Sequence, residues 1–254
     1  MCSTVKRYFI YLSYNGTRYC GWQNQPNGVS IQQCLEEVLS KVLCSDISIT
    51  GAGRTDAGVH ARMMVAHFEA PHSLDNTALL VGKFNNMLPK DIALHKIVPV
   101  TDGAHARFDA LSRTYIYQVT DKKNPFDYEY VCRMQLNNMN FEAMNAACKV
   151  LFDYSDFTSF SKLHTDVKTN NCRIYEAGWK KEGDVWVFTI KADRFLRNMV
   201  RAITGTLFEV GRKKMSIDEF RSVIEAKDRC VAGTSAPAEG LALMDIEYPE
   251  NVFL

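Results

Sequence analysis

One carboxylate in this chain is presented for chemistry more plainly than the others. Residues 49–61 read ITGAGRTDAGVHA, and within them Arg54 and Asp56 stand among Gly51, Gly53 and Gly58. Glycines permit backbone angles and close approaches that a side chain would block. An acid displayed on a stiff loop of that kind is one way to build a nucleophile. Asp and Gly are also ordinary turn residues, so the loop alone is compatible with a surface turn. A second constellation lies in DRFLRNMVRAITGTLFEVG, residues 193–211. Its apolar residues Leu196, Met199, Val200, Ile203, Leu207 and Val210 predict a helix over 195–210 with a core-facing stripe. Arg194, Arg197 and Arg201 fall at i, i+3 and i+7, on another stripe. Stacked like charges cost an isolated helix about 0.2–0.5 kcal/mol per pair. A bound anion or a carboxylate from elsewhere reverses that cost, and otherwise the stripe is a solvated basic face. A third constellation, HARFDALSRTYIYQV (105–119), sets Arg107 and Arg113 near Tyr115 and Tyr117, which share one strand face. Tyrosines beside arginines suit stacking on a base with cations on phosphates; the alternative is strand core with a hydroxyl at its edge. His60 ends the Asp56 loop where a strand begins and is read as structural.

The elements that hold these groups follow from periodicity. Residues 6–14 alternate, with Tyr8, Ile10, Leu12 and Tyr14 on one face of a strand. After a polar loop, Ser30 is placed to cap a helix, with Gln33 closing a capping box. Strands are expected over 46–53, 62–70 and 91–100, and a helix over 75–88 that Pro89 stops. The order β-α-β-β-α-β is that of a ferredoxin-like half. It returns in the second half: a strand over 113–120, a short one near 130–134, a helix over 140–152, a hairpin over 172–193 turning at Glu182-Gly183, the basic helix, a helix over 216–226 capped by Ser216 and Glu219, and a last strand over 241–248. The fold class is therefore α+β: two ferredoxin-like halves, 1–104 and 105–254, with a cleft expected between them.

Composition narrows the function. With 254 residues, 46% hydrophobic and 23% charged, the chain has the make-up of a globular protein with a core. No run of about 18 apolar residues is present, and the N-terminus lacks a signal peptide's pattern, so a cytoplasmic protein without membrane contact is expected. The eight cysteines include no CxxC pair and are expected to be reduced and mostly buried. The six histidines do not fall at ligand spacing with them, so no metal is expected. Net charge is +1, so an anion-binding surface must be a local patch.

Taken together, the segments resemble the tRNA pseudouridine synthase I family, TruA. GRTDAGVHA (53–61) is similar to the family's catalytic motif. YNGTRYCGWQNQ (14–25), HARFDALSRTYIY (105–117), DFTSF (156–160), FLRNMVRAITGTLFEVG (195–211) and APAEGLAL (236–243) follow in the family's order. The resemblance implies two ferredoxin-like halves with joined antiparallel sheets and a central cleft. It implies a homodimer acting on tRNA, with uridines of the anticodon stem-loop, tRNA positions 38 to 40, as substrate and no cofactor. By that resemblance Asp56 is the catalytic aspartate, Tyr115 the active-site tyrosine and Arg201 the aspartate's basic partner. Arg194 departs from the family pattern, where a small polar residue is expected.

The chemistry of such a site can be stated from the residues. Uridine isomerisation cuts N1–C1′, turns the uracil and joins C5 to C1′, with no gain or loss of electrons. The target base must leave its stack, which costs a few kcal/mol. Arg54, Arg18, Gln23, Gln25, Arg107, Arg113, Arg194 and Arg197 are the candidate substrate contacts, and Leu243 with Leu241 a candidate wall for uracil. A nearby arginine favours the charged form of a carboxylate, so Arg201 is expected to keep Asp56 ionised. Attack at C1′, a route through a glycal and addition to C6 all remain open to Asp56, and Tyr115 is either the base that takes the C5 proton or a stacking wall. Two rivals stand beside this reading. A non-catalytic RNA-binding protein with RRM-like sheets leaves the Asp loop unexplained and lacks the aromatic RNP signature. A small-molecule enzyme of the same fold does not need so many arginines.

Overall fold

The structure is a computed structural model that describes residues 6–162 and 169–254. The chain divides into two compact units, Met1–Leu111 with Leu243–Leu254, and Ser112–Ala242.

In the first unit the order is β1 (Lys6–Tyr14), α1 (Ile31–Leu43), β2 (Ile49–Gly51), β3 (His60–Ala70), α2 (Thr77–Met87) and β4 (Ile92–Pro99). Strand β1 pairs antiparallel with β3 on one side and β4 on the other, and β2 pairs with β3. This is the expected β-α-β-β-α-β unit. The alternation read in β1 is only half of its burial pattern. Tyr8, Ile10, Leu12 and Tyr14 are buried, but Phe9 and Tyr11 are buried as well. Helix α1 starts at Ser30, whose hydroxyl accepts the Gln33 N–H. The reciprocal half of the expected capping box is not made, because the Gln33 amide reaches forward to Glu37. Helix α2 buries only Phe84 and is tied down instead by Asn85, whose side chain donates to the Leu94 carbonyl and accepts the Leu94 N–H.

In the second unit β5 (Ser112–Thr120), β6 (Cys132–Arg133) and α3 (Phe141–Val150) are followed by β7 (Ile174–Glu182), β8 (Val185–Ala192), α4 (Met199–Gly211) and α5 (Ile217–Ala226). Strand β8 lies between β5 and β7, both antiparallel, and the two-residue β6 pairs parallel with β5. The final strand β9 (Leu241–Glu247) starts in the second unit and ends in the first. Helix α3 turns Phe141, Met144, Ala147, Cys148 and Val150 inward. Ser216 and Glu219 close a full capping box on α5.

Two readings are corrected. The basic helix begins at Met199, not at Phe195, with Asn198 before it in the left-handed region at φ 65°. Arg194 and Arg197 therefore precede the helix, and the three arginines form no helical stripe. Within α4 eleven of thirteen residues are buried, so it is a core helix wetted only at Arg201 and Glu209. The cysteines are also less buried than expected. Among the described ones Cys132, Cys148 and Cys172 are buried, Cys20 and Cys34 intermediate, and Cys44 and Cys230 exposed, all free; Cys2 lies outside the described residues.

Candidate active site

The Asp56 loop leaves β2 at Gly51 and enters β3 at His60. A turn closes it from inside: the Val59 N–H donates to the Asp56 carbonyl at 3.1 Å, and Gly58 takes φ 78°, as the third residue of such a turn often must. The remaining constraints come from the segment after β1. The Tyr14 and Thr55 hydroxyls share a buried 2.8 Å hydrogen bond. The Trp22 N–H donates to the Thr55 carbonyl at 3.1 Å, and its indole, 1% exposed, lies where a side chain at Gly51 would stand. The Gly16 N–H donates to Nδ1 of the buried His60 at 3.1 Å. At Gly16 the two backbones touch, since a Cβ there would sit 2.0 Å from the Val59 carbonyl oxygen. Thr55 is thus locked on both sides while Arg54 is exposed and Asp56 half-buried. His60 is structural, as read: its Nδ1 accepts a backbone N–H.

The polar loop over 14–27 is consequently a brace as much as a surface. Gln23 donates to Gln32 at 2.8 Å, and Gln25 to the Cys20 carbonyl at 2.6 Å. Arg18 is exposed and bonds Asp91, which also accepts from Tyr19 at 2.7 Å. Burial pushes the Asp91 carboxyl up, but the hydrogen bonds from Tyr19 and Arg18 outweigh it and hold the group below the usual range. Arg107 is exposed in the segment that precedes β5.

In the second unit Tyr115 lies on β5 opposite Ile190, nearly buried, with its ring edge-on to Phe195 at 5.2 Å. Tyr117, on the same face, is fully buried against Phe208, and burial raises its phenol strongly. It is therefore core, and its proposed stacking on a base is withdrawn. Arg113 donates to the Asp193 carbonyl at 2.7 Å, and Arg194 to the Thr169 carbonyl at 3.3 Å. Arg197 is exposed. Arg201, in the first turn of α4, is tied twice to Ala236: its Nε donates to the Ala236 carbonyl at 2.7 Å, and its own carbonyl accepts the Ala236 N–H at 2.9 Å. Asn198 and Arg229 each donate to the Ser235 hydroxyl, which fixes the same loop from the other side. Phe157 and Phe160 are core residues, and Leu243 is 1% exposed in the first unit. Among the described residues no group of three or more His, Cys, Asp or Glu is placed to hold a metal ion, and no helix is long and apolar enough to cross a membrane.

A family model described as tRNA pseudouridine synthase matches residues 10–109 and 147–249. The chain belongs to the tRNA pseudouridine synthase family. A tRNA pseudouridine synthase A of Parabacteroides distasonis is 63% identical over 249 residues, covering 98% of both chains. Proteins of that name from Bacteroides fragilis and Porphyromonas gingivalis are 57% and 55% identical, over 98% of this chain and 99% and 100% of theirs. The family match takes in Arg18, Gln23, Arg54, Asp56 and Arg107 in its first stretch. Its second takes in Arg194, Arg197, Arg201 and Leu243, while Arg113 and Tyr115 lie between the two. Sequence reasoning missed the residues that steady the pseudouridine synthase loop, Tyr14, Gly16, Trp22 and Thr55. For Tyr14, Gly16 and Trp22 the one signal was that YNGTRYCGW is rich in residues a plain surface loop does not need; Thr55 lies inside the Asp56 loop itself.

Proposed function

We propose that this protein isomerises uridine to pseudouridine in the anticodon stem-loop of tRNA, at positions 38 to 40, with Asp56 as the nucleophile. The observation that carries the reading is the match along nearly the whole chain to proteins named tRNA pseudouridine synthase A. The local geometry supports it: a single half-buried carboxylate stands on a loop whose neighbour, Thr55, is bonded through both backbone and side chain.

In this reading the target nucleotide swings out of its stack into the site. Asp56 attacks C1′ as the N1–C1′ bond breaks and its electron pair leaves with the uracil. The freed uracil turns, and C5 bonds to C1′ as the Asp56–C1′ bond breaks and the carboxylate is restored. The C5 proton then leaves by way of Tyr115, which passes it on to solvent, and N1 takes up a proton in exchange. Atoms and electrons balance, since the product is an isomer of the substrate. In this reading Arg201 serves as the cationic partner of Asp56, and its two bonds to Ala236 fix the backbone and the Nε edge of that guanidinium. Arg54, Arg18, Gln23, Arg107, Arg113, Arg194 and Arg197 hold the RNA backbone and the displaced nucleotide, and Leu243 walls the uracil. The protein works in the cytoplasm as a homodimer, with one tRNA touching both subunits.

The test is tritium release from tRNA labelled at uridine C5. Arg201→Met is expected to fold and bind tRNA but lose turnover, and Tyr115→Phe to bind and fail at proton removal. Unchanged turnover in either variant would strike that residue from the mechanism. Sedimentation with and without tRNA tests the dimer.

A further inference from the structure

Phe108 is 74% exposed, although the segment that carries it is held by several hydrogen bonds. The Ala106 N–H donates to Nδ1 of His67 at 3.1 Å, and the Arg107 and Phe108 N–H groups donate to Nδ1 of His105 at 3.1 and 3.3 Å. The His105 N–H donates to Asp109 at 2.7 Å, the Tyr248 hydroxyl to the Ala106 carbonyl, and Arg7 to the Ala104 carbonyl. The rings form a continuous column. Buried Phe9 lies 6.4 Å from His67, His67 4.6 Å from His105, and His105 4.2 Å from Phe108. The column runs from the core to an exposed phenyl face, with the Arg107 guanidinium 5.7 Å from that ring. An exposed ring held by a rigid support loses little entropy when it is covered.

Resting on the reading that the substrate is tRNA, we propose that Phe108 is a stacking platform for an unpaired base of the bound tRNA other than the target uridine. One phenyl ring offers far less surface than the roughly 800 Å² per partner of a stable protein interface, but it matches the face of one nucleobase. A guanidinium beside an aromatic platform is the pairing that single-stranded RNA sites use, the ring taking the base and the cation its phosphate. Its sequence neighbours His105, Arg107 and Asp109 are polar, so a base stacked on the ring meets hydrogen-bonding groups at its edge.

The experiment uses the full chain and unmodified tRNA. Phe108→Ala is expected to fold as the parent does and to bind tRNA about 5- to 150-fold more weakly. Because stacking releases no counterion, the slope of log affinity against log salt is expected to stay at its parent value. Phe108→Trp is expected to keep the affinity, and its indole emission, measured against the parent's three tryptophans, to be quenched when tRNA is added. Parent-like affinity of Phe108→Ala, or an unquenched Phe108→Trp that still binds, would overturn the proposal. So would a Phe108→Ala variant that changes its sedimenting mass while its tRNA affinity holds, since the ring would then cover a second copy of the chain. A parent chain that neither binds nor modifies tRNA would remove the functional reading itself, and this proposal with it.

Discussion

Gly16→Ala tests whether the Asp56 loop is held in place by the segment after β1. The added Cβ would lie 2.0 Å from the Val59 carbonyl oxygen, where ordinary contact begins at 3.4 Å. Both sides of that contact are backbone, so no rotamer relieves it. The two segments must part by more than 1 Å, and Val59 is three residues beyond Asp56 and bonded to its carbonyl. Overpacking of this kind costs about 1–3 kcal/mol. At about 2–4 °C per kcal/mol for chains approaching this size, the melting temperature should fall by several degrees. A displacement of 1 Å at the chemistry can cost about a hundredfold in rate. Tritium release from labelled tRNA, measured well below the melt, should therefore show kcat down by about two orders of magnitude with tRNA affinity little changed. Gly53→Ala is the control within the motif itself. It meets nothing within 4 Å and has no positive φ, so its melt should stay within about 0.5 kcal/mol of the parent. A Gly16→Ala enzyme that turns over at the parent rate would refute the bracing argument.

Three further outcomes are expected. Tyr14→Phe leaves the buried Thr55 hydroxyl without its partner and should cost about 1 kcal/mol in a denaturant titration; no loss would mean that bond does not hold the loop. Stability should also depend on pH through His67. Burial first, then His105 and Arg7, lower its value from the ordinary 6.5 to about 4, against the opposing pull of Glu69 and Asp109. A histidine held neutral contributes its stability above pH 6.5 and loses it as pH falls toward about 4, a change of about 3 kcal/mol at most. Parallel melts of the parent and His67→Gln between pH 7 and 4 check this, since only the parent should show that part of the slope. Arg18→Ala removes an exposed cation from the largely buried Asp91 carboxylate, which keeps its bond from Tyr19; it should cost about 1–3 kcal/mol of stability and flatten the salt dependence of tRNA binding.

The element order was legible because each strand and helix carries its own local period. Helix α3 is a clear case, since the expected span 140–152 takes in the observed Phe141–Val150. The start of α4 was not legible. Arg194, Arg197 and Arg201 have helical spacing, but spacing cannot reveal that Asn198 adopts a left-handed backbone and that three polar-flanked residues precede the first turn. The half-formed cap at Ser30 failed for a similar reason: Gln33 has two partners within reach, and the sequence does not say that Glu37 wins. At the site, Asp56 was visible from its glycines. What fixes it was not, because Tyr14, Gly16 and Trp22 lie more than thirty residues upstream and meet the loop only once β1 and β3 pair. Phe108 was hidden in plain view, since an exposed ring and a core ring read alike in a sequence.

The central claim, that Asp56 performs the isomerisation, is tested most directly by Asp56→Asn. The substitution keeps size and shape, so the variant should melt like the parent and bind tRNA with similar affinity. With C5-tritiated tRNA it should release label no faster than the buffer blank, in single as in multiple turnover. Release at the parent rate by a folded, tRNA-binding Asp56→Asn chain would contradict the assignment outright.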